Sequence, residues 1–371
     1  MSSSTENFIT QSLNKVDVQI NGDRPWDIRV LDKRFYTRIL SYGSLGLGES
    51  YMDGWWDCEQ IDELINRVLR ADLQKDIPFD LSLAWSYLRG KLVNNQKRKA
   101  FEVGEKHYDI GNDLYRAMLD ARLTYSCAYW NGAHTLDEAQ EAKLDLVCRK
   151  VGLQKGQHIL DIGSGWGSFL GFAAEKYDIT GVGVTVSVEQ AKYANERYAT
   201  YPIETRVQEY QTLKEQFDHV ISIGMFEHVG YKNYRAYMQK VYSLLRDDGY
   251  FLLHTIGGNT SVSNGDPWSE KYIFPNGMLP SIKQIGASIE GLFVMEDWHN
   301  LGTDYEKTLL AWWSNFDANW DDLKKFYSQR FYRMWKYYLL SFAGAFRARH
   351  TQLWQIVLSK ADNPRHYLSA R

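Results

Sequence analysis

Three glycines at alternate positions, Gly163, Gly165 and Gly167, follow an apolar run that ends in Asp161. Glycine has no side chain and tolerates positive φ, so a turn of this kind lets a ligand lie against bare backbone. The spacing is G-x-G-x-G, and Ser168 stands where the dinucleotide-binding fingerprint G-x-G-x-x-G has its third glycine. With a strand-like run before it and a helix-like segment after it, the turn indicates a pocket for S-adenosylmethionine (SAM). A tight turn that serves only packing is the alternative.

A second group of reactive residue types surrounds Cys127. The thiol is flanked by the hydroxyls of Thr124 and Ser126 and by the rings of Tyr125 and Tyr129. A thiolate with a suitable partner is a strong nucleophile, so Cys127 is a candidate for covalent chemistry. A buried, inert cysteine that packs as a small apolar side chain is the alternative.

The order of apolar runs and helix-like segments predicts the sheet that must position these residues. Predicted strands cover residues 158–162, 179–185, 203–208, 218–223 and 249–255. Helix-like segments separate most of them, and alternation of this kind indicates βαβ units and a parallel sheet. We therefore predict an α/β fold of the doubly wound, Rossmann-like type with a mostly parallel, seven-stranded sheet, its last two strands at residues 293–295 and 352–359.

Ligands bind outside the carboxyl ends of parallel strands. The segments that follow the predicted strands are 163–167, 185–190, 209–210, 224–228 and 254–258. This rule brings Glu227 and His254 to the same edge of the sheet as the glycine turn. A histidine at the end of a buried strand is equally compatible with a structural role. Residues 259–280, which contain three prolines and two glycines, are predicted to form an inserted loop or lid.

Residues 1–85 are predicted to form a small, mainly helical N-terminal domain, followed by a linker at 86–106 and a catalytic domain at 107–371. Residues 16–20 alternate as a strand does, and a second strand is predicted at 27–30. Four glycines between residues 43 and 54 argue against one regular helix there, and residues 61–69 have the spacing of an amphipathic helix. Trp55, Trp56 and the basic linker are candidates for lipid contact, with core packing and a solvated face as the alternatives.

Composition excludes several classes of protein. The net charge of −3 gives no support to a nucleic-acid binder. Three scattered cysteines are too few for a disulfide framework or a zinc site, which fits a reducing cytoplasm, and no metal is expected. The first 25 residues do not resemble a signal peptide, and no apolar run approaches the ~18 residues of a membrane span. Aromatic residues make up 15% of the chain, which suggests an apolar ligand or an interface.

Seven motifs occur in one order along the chain and together resemble those of the bacterial cyclopropane-fatty-acyl-phospholipid synthases. They are Gly-Ser-Leu-Gly-Leu-Gly-Glu-Ser-Tyr-Met-Asp-Gly-Trp-Trp, Tyr-Ser-Cys-Ala-Tyr-Trp, Leu-Asp-Ile-Gly-x-Gly-Trp-Gly, Gly-Met-Phe-Glu-His-Val-Gly, Leu-Leu-His-Thr-Ile-Gly, Tyr-Ile-Phe-Pro-Asn-Gly and Phe-Arg-Ala-Arg. The resemblance covers nearly the whole chain. It implies a SAM methyltransferase fold and a methylene transfer from SAM to the cis double bond of a phospholipid acyl chain.

Members of this family hold a bicarbonate ion as the base that removes a proton before the ring closes. Carried over motif by motif, the resemblance implies that the ion is held by Cys127, Glu227, His254, Ile256 (through its backbone) and Tyr305. Because an anion beside an ionised carboxylate is repelled, the resemblance also implies a shared proton between Glu227 and the bicarbonate.

The resemblance also implies a set of SAM-binding residues: Tyr125, Ser126, Ile162, Gly163, Ser164, Gly165, Gly167, Thr185, Ser187, Gln190, Glu209 and Tyr210. The second predicted strand ends in Thr185 rather than in the acidic residue that grips the ribose in most methyltransferases, so Gln190 is expected to substitute. Some relatives have a cysteine at the position of Phe342. A phenyl ring has no titratable group, so we infer that this position is not required chemically.

Three other functions stay open at this point. The enzyme could leave a methyl branch or act on a small soluble acceptor, or the chain could be a silent lipid-binding module; retention of the bicarbonate-site residues argues against the last. A nicotinamide dehydrogenase is disfavoured by the missing third glycine. The resemblance further implies a homodimer that associates peripherally with the inner face of the cell membrane and acts on the phospholipid bilayer.

Overall fold

The computed structural model describes residues 2–71 and 111–371. Its helices and strands are, in chain order, α1 Ser2–Asn14, β1 Arg29–Val30, α2 Arg34–Met52, β2 Trp56–Asp57, α3 Ile61–Arg70, α4 Asn112–Met118, α5 Leu136–Lys150, β3 His158–Ile162, α6 Ser168–Tyr177, β4 Thr180–Thr185, α7 Val188–Arg197, β5 Ile203–Val207, β6 Phe217–Ile223, α8 Tyr234–Leu244, β7 Leu245–Gly258, α9 Pro267–Tyr272, α10 Ile282–Ile289, β8 Val294–Asn300, α11 Gly302–Ala318, α12 Trp320–Leu323, α13 Gln329–Arg347 and β9 Thr351–Ser359.

The chain forms two compact units, each built from separate stretches of sequence. The first comprises Met1–Asn94, Ser263–Gly277 and Tyr305–Thr351, and the second comprises Asn95–Val262, Met278–Asp304 and Gln352–Arg371. The predicted linker at 86–106 and both of its boundaries lie outside the described residues, so the predicted division at 85 and 107 stays a prediction.

A seven-stranded sheet in the order β5-β4-β3-β6-β7-β9-β8 forms the centre of the second unit. Strands β3 to β7 pair in parallel, and β8 pairs with β9 antiparallel. Parallel strands are covered on both faces, and accordingly β3, β4 and β6 are buried along most of their length. The prediction of a mostly parallel, seven-stranded α/β sheet is confirmed.

Both faces of this sheet pack against helices. On one face, Ile159 of β3 and Leu252 of β7 pack with side chains of α5 and α6. On the other, Leu160 and Leu253 pack with side chains of α8 and α10. Neighbouring residues of a strand point to opposite faces, so each strand contributes to both cores. Thr135 and Glu138 form a capping box at the start of α5.

The prediction of a strand at residues 16–20 is wrong. Among the described residues of this stretch, only Ile20 pairs, in a single bridge with Ile28. The buried carboxylate of Asp27 accepts hydrogen bonds from the backbone N–H groups of Gln19 and Arg24. A side chain that binds backbone donors in this way competes with strand pairing. The strand that does form, β1, pairs with β2.

The glycine-rich stretch after residue 35 is interrupted, as predicted, but only at one position. Helix α2 is kinked at Gly43, where φ is 54° and ψ is −128°. Trp56 does not present its ring to lipid: it is fully buried, and its Nε1 donates to Leu47 O and Ser50 Oγ, both at 3.1 Å. Trp55 is half-buried between the guanidinium groups of Arg34 and Arg38.

Other predicted elements of the first unit agree with the structure in part. Helix α3 matches the amphipathic segment predicted at 61–69. The segment predicted as a loop at 259–280 contains a short helix, α9, whose Trp268 packs against Tyr337 with ring centroids 4.7 Å apart. Among the residues that the structure describes, no helix is long and apolar enough to cross a membrane.

Candidate functional site

The glycine turn follows β3 and is fixed to the neighbouring strand. The N–H groups of Gly163 and Ser164 both donate to Val184 O, at 2.9 and 3.1 Å. Gly163 and Gly167 have φ values of 84° and 78°, which L side chains rarely adopt. A Cβ on Gly163 would lie 2.8 Å from Met225 Cβ. The backbone therefore requires glycine here on grounds of conformation and of space.

The residues predicted to approach the ribose lie at the end of β4 and the start of α7. Thr185 Oγ1 donates to Gln190 Oε1 at 2.9 Å, and Ser187 caps α7 by accepting from Gln190 N. Gln190 Nε2 lies 4.0 Å from the position that a Cβ on Gly165 would occupy. The three side chains thus form one buried group beside the glycine turn. Their contact with SAM stays a prediction.

Glu209 and Tyr210, the predicted adenine-side residues, follow β5 at the same edge of the sheet. Both are half-buried, and the Tyr210 ring lies 5.2 Å from that of Tyr237. The N–H of the preceding Gln208 donates to Thr185 O, which holds this turn beside the end of β4. Their contact with adenine stays a prediction.

The segment at Tyr125–Cys127 is held by buried polar contacts. The Tyr125 ring packs edge-on against Tyr115, and Ser126 Oγ accepts from Lys143 Nζ at 3.0 Å. Cys127 is fully buried, and its Sγ donates to Ala128 O at 3.1 Å and to Leu301 O at 3.8 Å. A thiol that donates to carbonyl groups keeps its proton, so this geometry favours a binding thiol over a nucleophilic thiolate.

Glu227 lies in a short 3-10 turn after β6 and is fastened to β7. Its Oε1 accepts from Ile256 N at 2.7 Å, while its buried Oε2 has no hydrogen-bond partner among the described residues. Burial raises the pKa of this carboxyl group to about 7, against the lowering effect of the Ile256 N–H. Glu227 can therefore hold a proton near neutral pH.

His254 lies on β7, paired with Ile223 of β6. Gln355 Nε2 lies 3.3 Å from His254 Nδ1. Because an amide nitrogen only donates, Nδ1 must be the acceptor and the ring proton must be on Nε2. Burial, followed by the charges of Lys143 and Lys150, holds the pKa of His254 well below its usual value, so the ring is neutral. Its Nε2 has no acceptor among the residues described.

These contacts place two unsatisfied polar atoms at one edge of the sheet. Glu227 is bonded to the backbone two residues after His254, so both groups belong to the end of β7. Most buried polar atoms in proteins have a partner, and an exception calls for an explanation such as a bound ion. The N–H of Ile256, predicted to bind the ion directly, is donated to Glu227 instead.

Tyr305, the fifth residue of the predicted bicarbonate site, belongs to the first unit. It is 7% exposed, and its ring packs against Phe346 and Trp312, with centroids 4.7 and 5.9 Å away. The next residue, Glu306, accepts from Arg347 Nε at 2.8 Å. Phe342, on the same helix as Phe346, packs with Tyr338 at 4.9 Å.

Two buried polar residues beside the site were not identified from the sequence. Gln355 fixes the tautomer of His254, and Lys143 binds Ser126. Gln355 interrupts the apolar run from Leu353 to Leu358, and Lys143 lies four residues from Ala139 and from Val147 on the buried side of α5. For both residues, the available sequence signal was a polar side chain at a position where the periodic pattern predicts an apolar one.

The strand order and the glycine turn after β3 define a SAM-dependent methyltransferase. The crystal structure of the mycolic acid cyclopropane synthase CmaA1 complexed with S-adenosylhomocysteine (SAH) and CTAB is similar, with a TM-score of 0.66 and 34% identity. The match covers 70% of this chain and 98% of that one.

The sequence model named Mycolic acid cyclopropane synthetase matches residues 95–356, and the chain belongs to this family. It is 50% identical over 349 residues to the cyclopropane-fatty-acyl-phospholipid synthase of Escherichia coli (strain K12), covering 94% of this chain and 91% of that protein. It is 32% identical to the tuberculostearic acid methyltransferase UfaA1 of Mycobacterium tuberculosis, covering 88% and 81%. The protein is an enzyme with SAM-dependent cyclopropane fatty acid synthase activity.

We expect Gly183→Ala to weaken SAH binding about tenfold, or ~1.4 kcal/mol. The added Cβ would lie 2.6 Å from Ser164 Oγ, so the glycine turn must shift. Gly181→Ala is the matched control on the same strand, because its Cβ meets the flexible end of Leu170 instead. Both variants should lose about 1–3 kcal/mol of stability, and titration calorimetry with SAH separates them. Equal SAH affinities in the two variants would contradict the prediction.

We compare the free energy of unfolding of Glu227→Gln with that of the unchanged protein. We expect this difference to favour the variant more at pH 8 than at pH 5, by on the order of 1–3 kcal/mol. The folded-state pKa of about 7 exceeds the ordinary value of 4.5, so the folded protein binds more protons and loses stability as pH rises between these values. Glutamine does not titrate and lacks this loss. Urea unfolding of both proteins at the two pH values measures the difference. A pH-independent difference would show that Glu227 ionises normally.

Proposed function

We propose that this enzyme transfers a methylene from SAM to the cis double bond of unsaturated phospholipid acyl chains, with a bound bicarbonate as the proton acceptor. The observation that carries the proposal is the pair of buried polar atoms, Glu227 Oε2 and His254 Nε2, without partners among the described residues. The phospholipid substrate is supported by the name of the Escherichia coli relative, to which this chain is 50% identical.

The chemistry requires a dry and well-ordered site. SAM supplies an electrophilic methyl group, and the π electrons of the double bond form the new C–C bond as the C–S bond breaks. Because an alkene is a weak nucleophile, the reacting atoms must be held in line and away from water. A base then takes a proton from the transferred methyl group, and that C–H electron pair closes the ring. The complete burial of Cys127 and near-complete burial of His254 are consistent with such a site.

The side chains present fit a small oxyanion. Glu227 can keep a proton at neutral pH because burial raises its pKa to about 7, and a protonated carboxyl group donates to an anion instead of repelling it. His254 offers the Nε2–H that follows from its bond with Gln355. Glu227 and His254 would therefore hold bicarbonate, and Ile256 would act by orienting Glu227. Cys127 and Tyr305 complete the proposed set.

The proposal extends to the cell. A phospholipid substrate requires contact with a bilayer, so we place the enzyme in the cytoplasm, peripherally associated with the inner face of the membrane. As a homodimer it would present two lipid-facing surfaces and gain avidity. The N-terminal domain at 1–85 and the basic linker at 86–106 are the proposed lipid-contacting parts.

Purified protein with SAM and vesicles of unsaturated phospholipid should yield acyl chains heavier by one CH₂ in which the double bond is lost. Mass spectrometry together with NMR of the ring protons distinguishes a cyclopropane from a methyl branch. The distinction matters because one relative is named as a methyltransferase. Saturated vesicles are the matched control and should give no product. Product from soluble acceptors but not from vesicles would overturn the lipid proposal.

Glu227→Gln should retain SAM binding and lose turnover by about 100-fold or more, because the amide cannot share a proton with the anion as a carboxyl group does. Calorimetry with SAM and the vesicle assay measure the two effects separately. Glu196→Gln, at an exposed position on α7, is the matched control and should behave as the unchanged enzyme. Unchanged turnover in Glu227→Gln would remove this residue from the site.

A further inference from the structure

Helix α5 carries a lysine whose side chain is completely removed from solvent. Lys143 is 0% exposed, and its Nζ donates to Ser126 Oγ at 3.0 Å. Its hydrogen-bond partner is thus a neutral hydroxyl, and not a carboxylate as for most buried lysines. Burying an ammonium group is costly unless it is well compensated. An apolar side chain of similar length would pack at this position at lower cost, which points to a role beyond packing.

Lys143 acts together with the preceding turn of its helix. Gln140, three residues earlier and also fully buried, donates from Nε2 to the carbonyl oxygens of Thr124 and Ser126, at 3.2 and 2.8 Å. Residues three apart lie on the same face of a helix. The two side chains together grip the segment that carries Tyr125, Ser126 and Cys127.

The groups that act on the pKa of Lys143 come from other segments of the second unit. Burial lowers this pKa to about 8, against the raising effects of Asp120, Cys127 and Asp161. In turn, Lys143 opposes the effect of burial on Asp161, whose pKa is raised to about 7. Asp161 is the last polar residue before the glycine turn, and its buried Oδ1 has no hydrogen-bond partner among the described residues. Lys143 also contributes to the lowered pKa of His254.

We propose that Lys143 is a positioning residue for SAM: together with Gln140, its ammonium group fixes Ser126 and holds residues 125–127 in place for the cofactor. The Tyr115 ring packs against both Tyr125 and Trp166, so this segment lies beside the glycine turn. The inference rests on the proposed assignment of Ser126 and of the glycine turn to the cofactor.

Lys143→Met removes the charge and keeps the length of the side chain. We expect it to weaken SAM binding at least tenfold and to raise the KM for SAM by a similar factor. The kcat at saturating SAM should fall by a smaller factor than the KM rises, because Lys143 is not itself one of the bicarbonate-site residues. Lys150→Met is the matched control: Lys150 is equally buried on the same helix but pairs with Asp297. It should leave SAM affinity within twofold of the unchanged enzyme.

A double-mutant cycle tests the route through Ser126. Ser126→Ala should weaken SAM binding about threefold in a protein that keeps Lys143, and Lys143→Met should weaken it less in that background than in the unchanged enzyme, because the hydroxyl that it holds is gone. Ser126→Ala remains informative if Lys143→Met does not fold.

Wild-type SAM affinity in Lys143→Met, or an equal loss in Lys150→Met, would overturn the inference. Fully additive effects of Lys143→Met and Ser126→Ala would also overturn it, as would wild-type affinity in Ser126→Ala. All affinities are measured by calorimetry without lipid. Failure of the vesicle assay with this affinity pattern intact would therefore count against the proposed lipid reaction alone.

Discussion

The burial of ionisable side chains at the carboxyl edge of the sheet is the constraint on which the site depends. Asp161 and Glu227 are both removed from water, and burial raises the pKa of each to about 7. Lys143 and His254 are buried at the same edge, and their pKa values are lowered for the same reason. The two carboxyl groups can therefore exchange protons near neutral pH, and the exclusion of water that shifts their pKa values also protects a reactive methyl donor.

The sheet could be predicted because a buried parallel strand has a simple sequence pattern. The predicted strand at 158–162 has the bounds of β3, and that at 179–185 differs from β4 by one residue. The strand predicted at 16–20 failed because its alternation is a local signal, whereas the carboxylate of Asp27 that binds the backbone of Gln19 is eight residues away in sequence. The periodicity of apolar residues indicates which face of a segment is buried. It does not indicate which group accepts hydrogen bonds from the backbone N–H groups.

The site could be predicted only as far as motifs fix residue positions. The resemblance selected Glu227 and His254, but their states follow from partners that no local pattern reveals. Gln355, which sets the tautomer of His254, is 101 residues away in sequence, and Lys143 is 17 residues from Ser126. The first unit likewise takes in chain from Ser263–Gly277 and Tyr305–Thr351. A contact between distant stretches depends on the completed fold, so a sequence signal for it is weak.

The hydrogen bonds of the site residues suggest different roles for them. Ile256 donates its N–H to Glu227, and Cys127 donates its thiol to carbonyl groups, so both have a structural partner already. Glu227 and His254 each keep one polar atom without a partner among the described residues. A buried polar atom that has lost its hydrogen bonds to water and has no protein partner contributes most to the binding of an anion. We therefore propose that the glycine turn holds the methyl donor through backbone geometry, and that the proton transfer depends on these two side chains and on the residues that orient them.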